Sequence, residues 1–244
     1  VVTPVLETQN LTKSFGGILA LDGLSLTVPA GAIVGLIGPN GSGKTTFFNL
    51  VTGVYPPDRG QVRFRGRIIT GLRPHRIARL GIGRTFQIPA PFVKMTVLDN
   101  VAVGAFIHAG TLAAARRAAA EILEFVGLAA KASELVSQVT LEDRKRLELA
   151  RALATRPELL LLDEVMAGLN PAEVRAAVEL IRAIRARGLT IVVVEHVMDA
   201  ILSLCERIVV LDGGRKIAED VPERIVANEA VIRAYLGERR SAAR

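Results

Sequence analysis

An α/β fold around a largely parallel sheet is what the sequence predicts, on three observations. Uninterrupted apolar runs, Ile33 to Ile37 and Leu159 to Leu162 among them, have the length and side chains of strands buried on both faces. Strand candidates alternate with helical patterns, as parallel neighbours joined by crossovers require. Between the first such strand and the next helix candidate lies Gly38-Pro39-Asn40-Gly41-Ser42-Gly43, too rich in glycine to extend either.

Along the chain, Val5 to Leu11 and Leu24 to Val28 read as short strands, and Pro29-Ala30-Gly31 turns into Ile33 to Ile37. Phe47 to Val51 reads as a helix stopped by Gly53, and Gln61 to Phe64 as a further strand. From Val97 to Ala154 the pattern is helical and alanine-rich without a convincing strand, which predicts a helical subdomain. Thr96 with Asp99 three residues on starts one helix there, and Gly127 ends another through Glu121 to Val126. Asn170-Pro171-Ala172-Glu173 combines a capping side chain, a proline at the first helical position and a carboxylate that can reach back, so a long helix runs toward Gly188. Thr190 to Val194 and Arg207 to Leu211 complete the strands, the latter closed by Asp212-Gly213-Gly214, and residues 238–244 read as a flexible tail.

Composition narrows the function. The apolar runs fall far short of the ~20 residues that span a bilayer, and Val1 to Thr8 has neither the basic start nor the apolar core of a secretory signal. A single cysteine, Cys205, allows no intrachain disulfide and no cysteine zinc cluster, so it reads as a buried thiol in a reducing cytoplasm. The formal charge is +7, mostly from arginine distributed along the chain, with few aromatics to stack on bases. Nucleic acid is therefore the weaker reading, and a basic surface equally suits anionic headgroups or a nucleoside triphosphate.

Chemistry concentrates in three places. Gly38 to Thr45 fits G-x-x-x-x-G-K-[ST], in which glycines let successive N–H groups face phosphate oxygens while the following helix offers its positive end. Lys44 would then reach the β- and γ-phosphates and Thr45 would place its hydroxyl on Mg²⁺. The run Leu159 to Leu162 delivers Asp163 and Glu164 at the carboxyl end of a strand, where such sheets bind ligands. Asp163 can hold Mg²⁺ through water, and Glu164 can polarise an attacking water. His196, after Glu195 at the end of Thr190 to Val194, could donate to the γ-phosphate, whereas His75 and His108 read as surface residues. Gln87, in Arg84-Thr85-Phe86-Gln87, can bridge metal or water through its amide.

In this order and spacing, these elements resemble the nucleotide-binding subunit of ABC transporters across nearly the whole chain. The resemblance makes Gly38, Pro39, Asn40, Gly41, Ser42, Gly43, Lys44, Thr45 and Thr46 the Walker A loop, Gln87 the Q-loop glutamine, Asp163 and Glu164 the Walker B pair, and His196 the switch histidine. Phe15 sits where the family places an aromatic ring against adenine, though a core phenylalanine is the plainer reading. The implied fold is a P-loop NTPase (RecA-like) core with a mainly parallel sheet, an N-terminal antiparallel β-subdomain and an inserted α-helical subdomain. Residues 1–87 and 156–237 would form core and β-subdomain, and residues 88–155 the helical insert. Gly81 to Gln87, Met95 to Val101 and Ala234 to Glu238 look most like branched-chain amino-acid importers.

The implied partners are transmembrane permeases, a second ATPase chain closing head to tail over ATP, and, indirectly, an extracytoplasmic solute-binding protein, with the subunit at the inner face of the cell membrane. One motif departs from the family. Where Leu-Ser-Gly-Gly-Gln is usual, this chain has Val139, Thr140, Leu141, Glu142 and Asp143. Glu142 would either oppose a phosphate or turn away and cap its own helix, and both outcomes predict a poor signature; beside a complete hydrolytic set, that favours a different partner chain over a second copy of this one. Val165 for proline and Asn170 for aspartate are milder changes. An ABC-type ATPase on nucleic acid or the ribosome would be expected to carry coiled-coil or zinc inserts or fused ATPase domains. A regulatory module conflicts with the retained Glu164 and His196, and a P-loop kinase or GTPase finds no guanine-reading motif.

Overall fold

A computed structural model describes residues 4–87 and 90–241. Two sheets form. The first is antiparallel, in the order β2-β1-β4-β5, from β1 (Pro4–Phe15), β2 (Ile18–Pro29), β4 (Arg59–Phe64) and β5 (Arg67–Ile68). The second has the order β10-β9-β3-β8-β7-β6, from β3 (Ile33–Ile37), β6 (Ile82–Arg84), β7 (Leu159–Asp163), β8 (Thr190–Val194), β9 (Arg207–Asp212) and β10 (Arg215–Asp220). Its neighbours are parallel except for the β9–β10 hairpin at one edge.

Every residue of β3, β7 and β8 is buried, because the two faces of the sheet pack against different layers. Val34, Leu36, Leu161 and Val192 join Phe47 and Phe48 of α1 (Lys44–Val51) and the antiparallel sheet. Their alternates Ile33, Ile37, Leu160 and Val193 join Ile181 and Ile184 of α6 (Pro171–Ala186) and Ile201 of α7 (Met198–Leu204). A strand with two apolar environments cannot alternate in polarity, which is why these runs read as continuous.

The helical stretch has a cluster of its own. Val97 and Val101 of α3 (Val97–Ala105), Ala115, Ala119 and Leu123 of α4 (Leu112–Phe125), and Leu147, Ala150 and Ala154 of α5 (Leu141–Ala154) are buried together, small residues allowing close approach. The caps form as expected. The Thr96 hydroxyl accepts from Asp99 N–H at 3.1 Å, a contact whose loss typically costs about 1 kcal/mol. Past α4, Gly127 takes φ +78° and Leu128 N–H returns to Leu123 O at 2.7 Å. Asn170 and Glu173 complete a reciprocal box at the start of α6.

Three differences from the sequence expectation have physical causes. The short strands 5–11 and 24–28 are inner stretches of two twelve-residue strands, because bulges and exposed outer ends break the alternation. Both β6 and β10 escaped the pattern, one being three residues long with a glycine and the other a half-exposed edge. The short helices α2 (Pro74–Leu80), α7 and α8 (Pro222–Val226) are too brief to show periodicity. The terminal helix α9 (Glu229–Ser241) carries residues 238–241 of the expected tail, and 242–244 lie outside the described residues. Among the described residues no helix is long and apolar enough to cross a membrane. Cys205 is buried against the sheet, and that burial pushes its thiol up to about 12.

Candidate active site

Parallel pairing of β3, β8 and β7 brings their carboxyl ends to one edge. Gly35 lies opposite Val193, and Asp163 opposite Val194. The loop after β3, the Asp163-Glu164 pair and the Glu195-His196 pair therefore converge although up to 158 residues separate Gly38 from His196.

The loop accepts glycine for steric reasons at two points. A Cβ on Gly38 (φ +150°) would lie 2.0 Å from Leu211 O, and one on Gly43 (φ +105°) would lie 2.6 Å from Ala20 O. With Gly43 as cap, α1 has no side-chain cap and no acidic residue in its first turn, so no carboxylate there offsets the positive end that the helix offers an anion. Lys44 is buried, its ammonium donating to Gly38 O at 2.7 Å and Pro39 O at 2.8 Å. Asn40, Gly41, Gly43, Lys44, Thr45 and Thr46 line a cavity of about 260 Å³ together with Gln87 and Glu164, while Gly38, Pro39 and Ser42 of the same loop are buried and do not line it.

Glu164 is the most constrained side chain there. Gln87 Nε2 donates to one carboxylate oxygen at 2.8 Å, and His196 Nε2 lies 2.9 Å from the other. Its backbone takes φ +50°, a left-handed conformation that costs a non-glycine residue on the order of 1 kcal/mol. That conformation is pinned from both sides: Glu164 N–H donates to Val194 O at 2.9 Å, and Lys145 Nζ donates to Glu164 O at 2.9 Å. His196 thus meets Glu164 directly.

Asp163 lies beneath, 1% exposed. Its Oδ2 pairs with Arg84 at 2.9 Å, while its buried Oδ1 has no hydrogen-bond partner. Burial pushes this carboxyl up, and Arg84 opposes the shift. A buried carboxylate with one unsatisfied oxygen, next in sequence to the Glu164 that lines the cavity with Thr45 and Gln87, is oxygen chemistry suited to a hard cation such as Mg²⁺. Among the described residues no three His, Cys, Asp or Glu side chains cluster as a metal cage.

Phe15 is not a core residue: its ring is 40% exposed and meets Tyr55 edge to face at 5.2 Å, forming an aromatic step on the antiparallel sheet. The signature residues stand apart from the cavity. Val139 is buried, Thr140 caps α5, and Leu141 is exposed. The cap on α5 is a reciprocal Thr140–Asp143 box, so Glu142 does not cap its helix as one expectation had it. Glu142 turns along α5 to Arg146, with contacts of 2.6 and 3.0 Å. Asp143 pairs with Lys131; burial raises its carboxyl, but that ion pair and the Thr140 bonds outweigh it and leave the group lowered.

Three residues of the site had no sequence signal of their own. Arg84 clamps Asp163 and also donates to Asn49 Oδ1 at 2.6 Å. Lys145 reaches Glu164 from the signature helix. Glu195 is buried and accepts from Met166 N–H at 2.7 Å, and burial moves its carboxyl to about 7.

The family model for ABC transporters matches residues 21–167, more than half of the chain and both halves of this cavity. This chain is an ABC transporter ATPase. Its last part, residues 215–240, matches the model described as branched-chain amino acid ATP-binding cassette transporter. The ABC cassette is 42% identical to the high-affinity branched-chain amino acid transport ATP-binding protein LivG of Salmonella typhimurium, over 96% of this chain and 98% of that one. It is 40% identical to BraF of Pseudomonas aeruginosa, which carries the same description, at the same coverage. In structure it resembles a nucleotide-free ATP-binding cassette from an ABC transporter, with a TM-score of 0.88, 31% identity, and 95% and 98% of the two chains covered. As an ABC ATPase it binds nucleotide.

Proposed function

We propose that this ABC ATPase powers uptake of branched-chain or related amino acids, docked on membrane permeases at the inner face of the cell membrane. The observation that carries the solute class is the 215–240 match, which adds a family-specific C-terminal part to likeness over 96% of the chain. Hydrolysis is assigned to the cavity. Lys44 and the amides of Gly41 to Thr46 bind the triphosphate, and the Phe15–Tyr55 step receives the adenine. Thr45, Gln87 and, through water, Asp163 would hold Mg²⁺, which when bound neutralises charge on the phosphate oxygens. Glu164 accepts a hydrogen bond from the water that attacks the γ-phosphorus, and the bond to the β–γ bridging oxygen breaks to give ADP and phosphate. Gln87 and His196 aim that carboxylate, and His196 can exchange its Glu164 contact for the γ-phosphate. The second ATPase chain is a different protein with an intact signature, since Glu142 and Asp143 leave this one poor.

The test is reconstitution with both permeases, the second ATPase chain and a solute-binding protein. Leucine, isoleucine or valine is expected to stimulate ATP turnover and to accumulate in the vesicles. Turnover stimulated only by an unrelated solute would overturn the solute class and leave the ATPase assignment standing.

Docking is assigned to a groove of about 270 Å³ between the core and the helices, lined by Pro74, Ala78, Phe86, Val103 and Arg151 among others. Phe92, 47% exposed, packs its ring under Arg151 at 5.4 Å at the edge of this groove, with Pro91 and Met95 half-buried nearby. Phe92→Asp should abolish uptake while leaving Mg·ATP affinity within about twofold, the shift an exposed substitution outside the nucleotide cavity should leave. Uptake that survives the substitution would locate the docking surface elsewhere.

A further inference from the structure

The basic excess of this chain is not evenly distributed. Residues 59–98 contain nine of its 31 lysines and arginines and none of its 24 aspartates and glutamates, so the remainder is slightly acidic. Two of the nine are spoken for inside the fold: Arg65 pairs with Glu158, and Arg84 with Asp163. Among the described residues Arg67, Arg73, Arg76 and Arg79 have no carboxylate within ion-pairing distance, and all four are exposed.

Their place in the fold is specific. Arg67 lies on β5, the edge strand of the antiparallel sheet, beside Ile68, whose side chain is 52% exposed. Six residues after Arg67, Arg73 stands at the cap position before α2. Ile77 of that helix is buried, Pro74 and Ala78 line the docking groove, and Arg76 and Arg79, three residues apart, share the exposed flank. Beyond the groove, Lys94 is exposed next to the exposed Phe92 and Val93. The arginines therefore form an exposed basic rim on β5 and on the flank of α2 turned away from Pro74 and Ala78, one helix width from the groove assigned to the permease.

We propose that this rim, centred on Arg67, Arg76 and Arg79, binds the anionic headgroups of the membrane in which the permease sits. A groove that receives a membrane protein from the cytoplasmic side turns its surroundings toward the bilayer, and that orientation rests on the docking assignment above. The chemistry stands independently of it. Guanidinium groups without protein partners suit phosphodiesters, with which they form paired hydrogen bonds. Each basic side chain near an anionic bilayer strengthens partitioning about fivefold at moderate salt. An exposed isoleucine among arginines suits the boundary between headgroups and acyl chains, whereas a nucleic-acid surface would want aromatic rings, and residues 65–80 contain none but His75.

The experiment is flotation of the purified full-length chain with vesicles of phosphatidylcholine alone or mixed with phosphatidylglycerol. Binding is expected only to the mixed vesicles and should weaken as salt rises. Arg67→Gln, Arg76→Gln and Arg79→Gln together should lower it by about a hundredfold, the combined effect of three contacts at about fivefold each. Lysine at the same three positions should restore most of it. The equally charged control Arg117→Gln, Arg175→Gln and Arg187→Gln should change it little. Equal losses in the two triple variants would mean that net charge alone binds, and would overturn the rim. Loss of duplex DNA or RNA binding in the first variant, with vesicle binding unchanged, would overturn it in favour of nucleic acid. Mg·ATP affinity, measured alongside by calorimetry, reports the nucleotide cavity separately, so failure of the rim and failure of the ATPase assignment give different results.

Discussion

Glu164→Gln should lower steady-state ATP turnover by about 10²–10⁴-fold, the range over which a positioned general base contributes, while Mg·ATP still binds. The substitution removes charge and basicity and little else. Gln87 can still donate to the remaining amide oxygen, and the backbone stays pinned by Val194 O and by Lys145, neither of which involves the side chain. The left-handed backbone at position 164 tolerates glutamine as it tolerates glutamate, so the fold should be unaffected. Single-turnover hydrolysis in the reconstituted transporter, beside calorimetry of Mg·ATP, separates chemistry from binding. Turnover within threefold of the parent would place the base elsewhere. Lys44→Ala offers the contrast: it should weaken nucleotide binding itself, because the ammonium held by Gly38 O and Pro39 O is the cation of the loop that is assigned to the triphosphate.

How much of this was readable in advance follows from where the information resides. Strands β3 and β8 are legible to the residue, because burial on both faces leaves a continuous apolar run with clear ends. The phosphate loop was equally plain, since its glycines answer to backbone collisions at Gly38 and Gly43 that any sequence with this fold must avoid. What could not be read acts across the fold. Arg84 meets Asp163 across 79 residues, and Lys145 meets a carbonyl rather than a side chain, so no spacing rule announces either. The Phe15–Tyr55 pair joins a strand end to the turn after α1, and composition gave no hint that both rings would be exposed. Glu142 shows the remaining limit. Its change of residue type was obvious, but its direction depended on Arg146 one turn away, a local pairing that competes with several others.

That direction bears on the second large effect. Glu142→Gly should strengthen ATP binding at the partner's Walker A site by up to about a hundredfold. A carboxylate about 6 Å from one phosphate charge opposes it by roughly 3 kcal/mol at an effective dielectric of ~20. The end of α5 would otherwise attract the phosphate, but its first turn carries both Glu142 and Asp143, which offset its positive pole. Two features moderate the expectation. Arg146 holds Glu142 back along the helix, and the side chain is half-buried rather than desolvated, so part of the repulsion is already screened. The Thr140–Asp143 box does not depend on Glu142, so the helix start should survive glycine at a cost of no more than about 1 kcal/mol. Combining the change with Lys44→Ala silences this chain's own loop, leaving the partner's site as the one observed. Glu142→Gln, which removes charge while keeping the shape, should recover most of the gain if repulsion is the cause. If neither substitution moves nucleotide affinity at that site, Arg146 already neutralises the carboxylate and residue 142 is not what weakens the signature; a gain with glycine alone would assign the effect to the backbone rather than to charge.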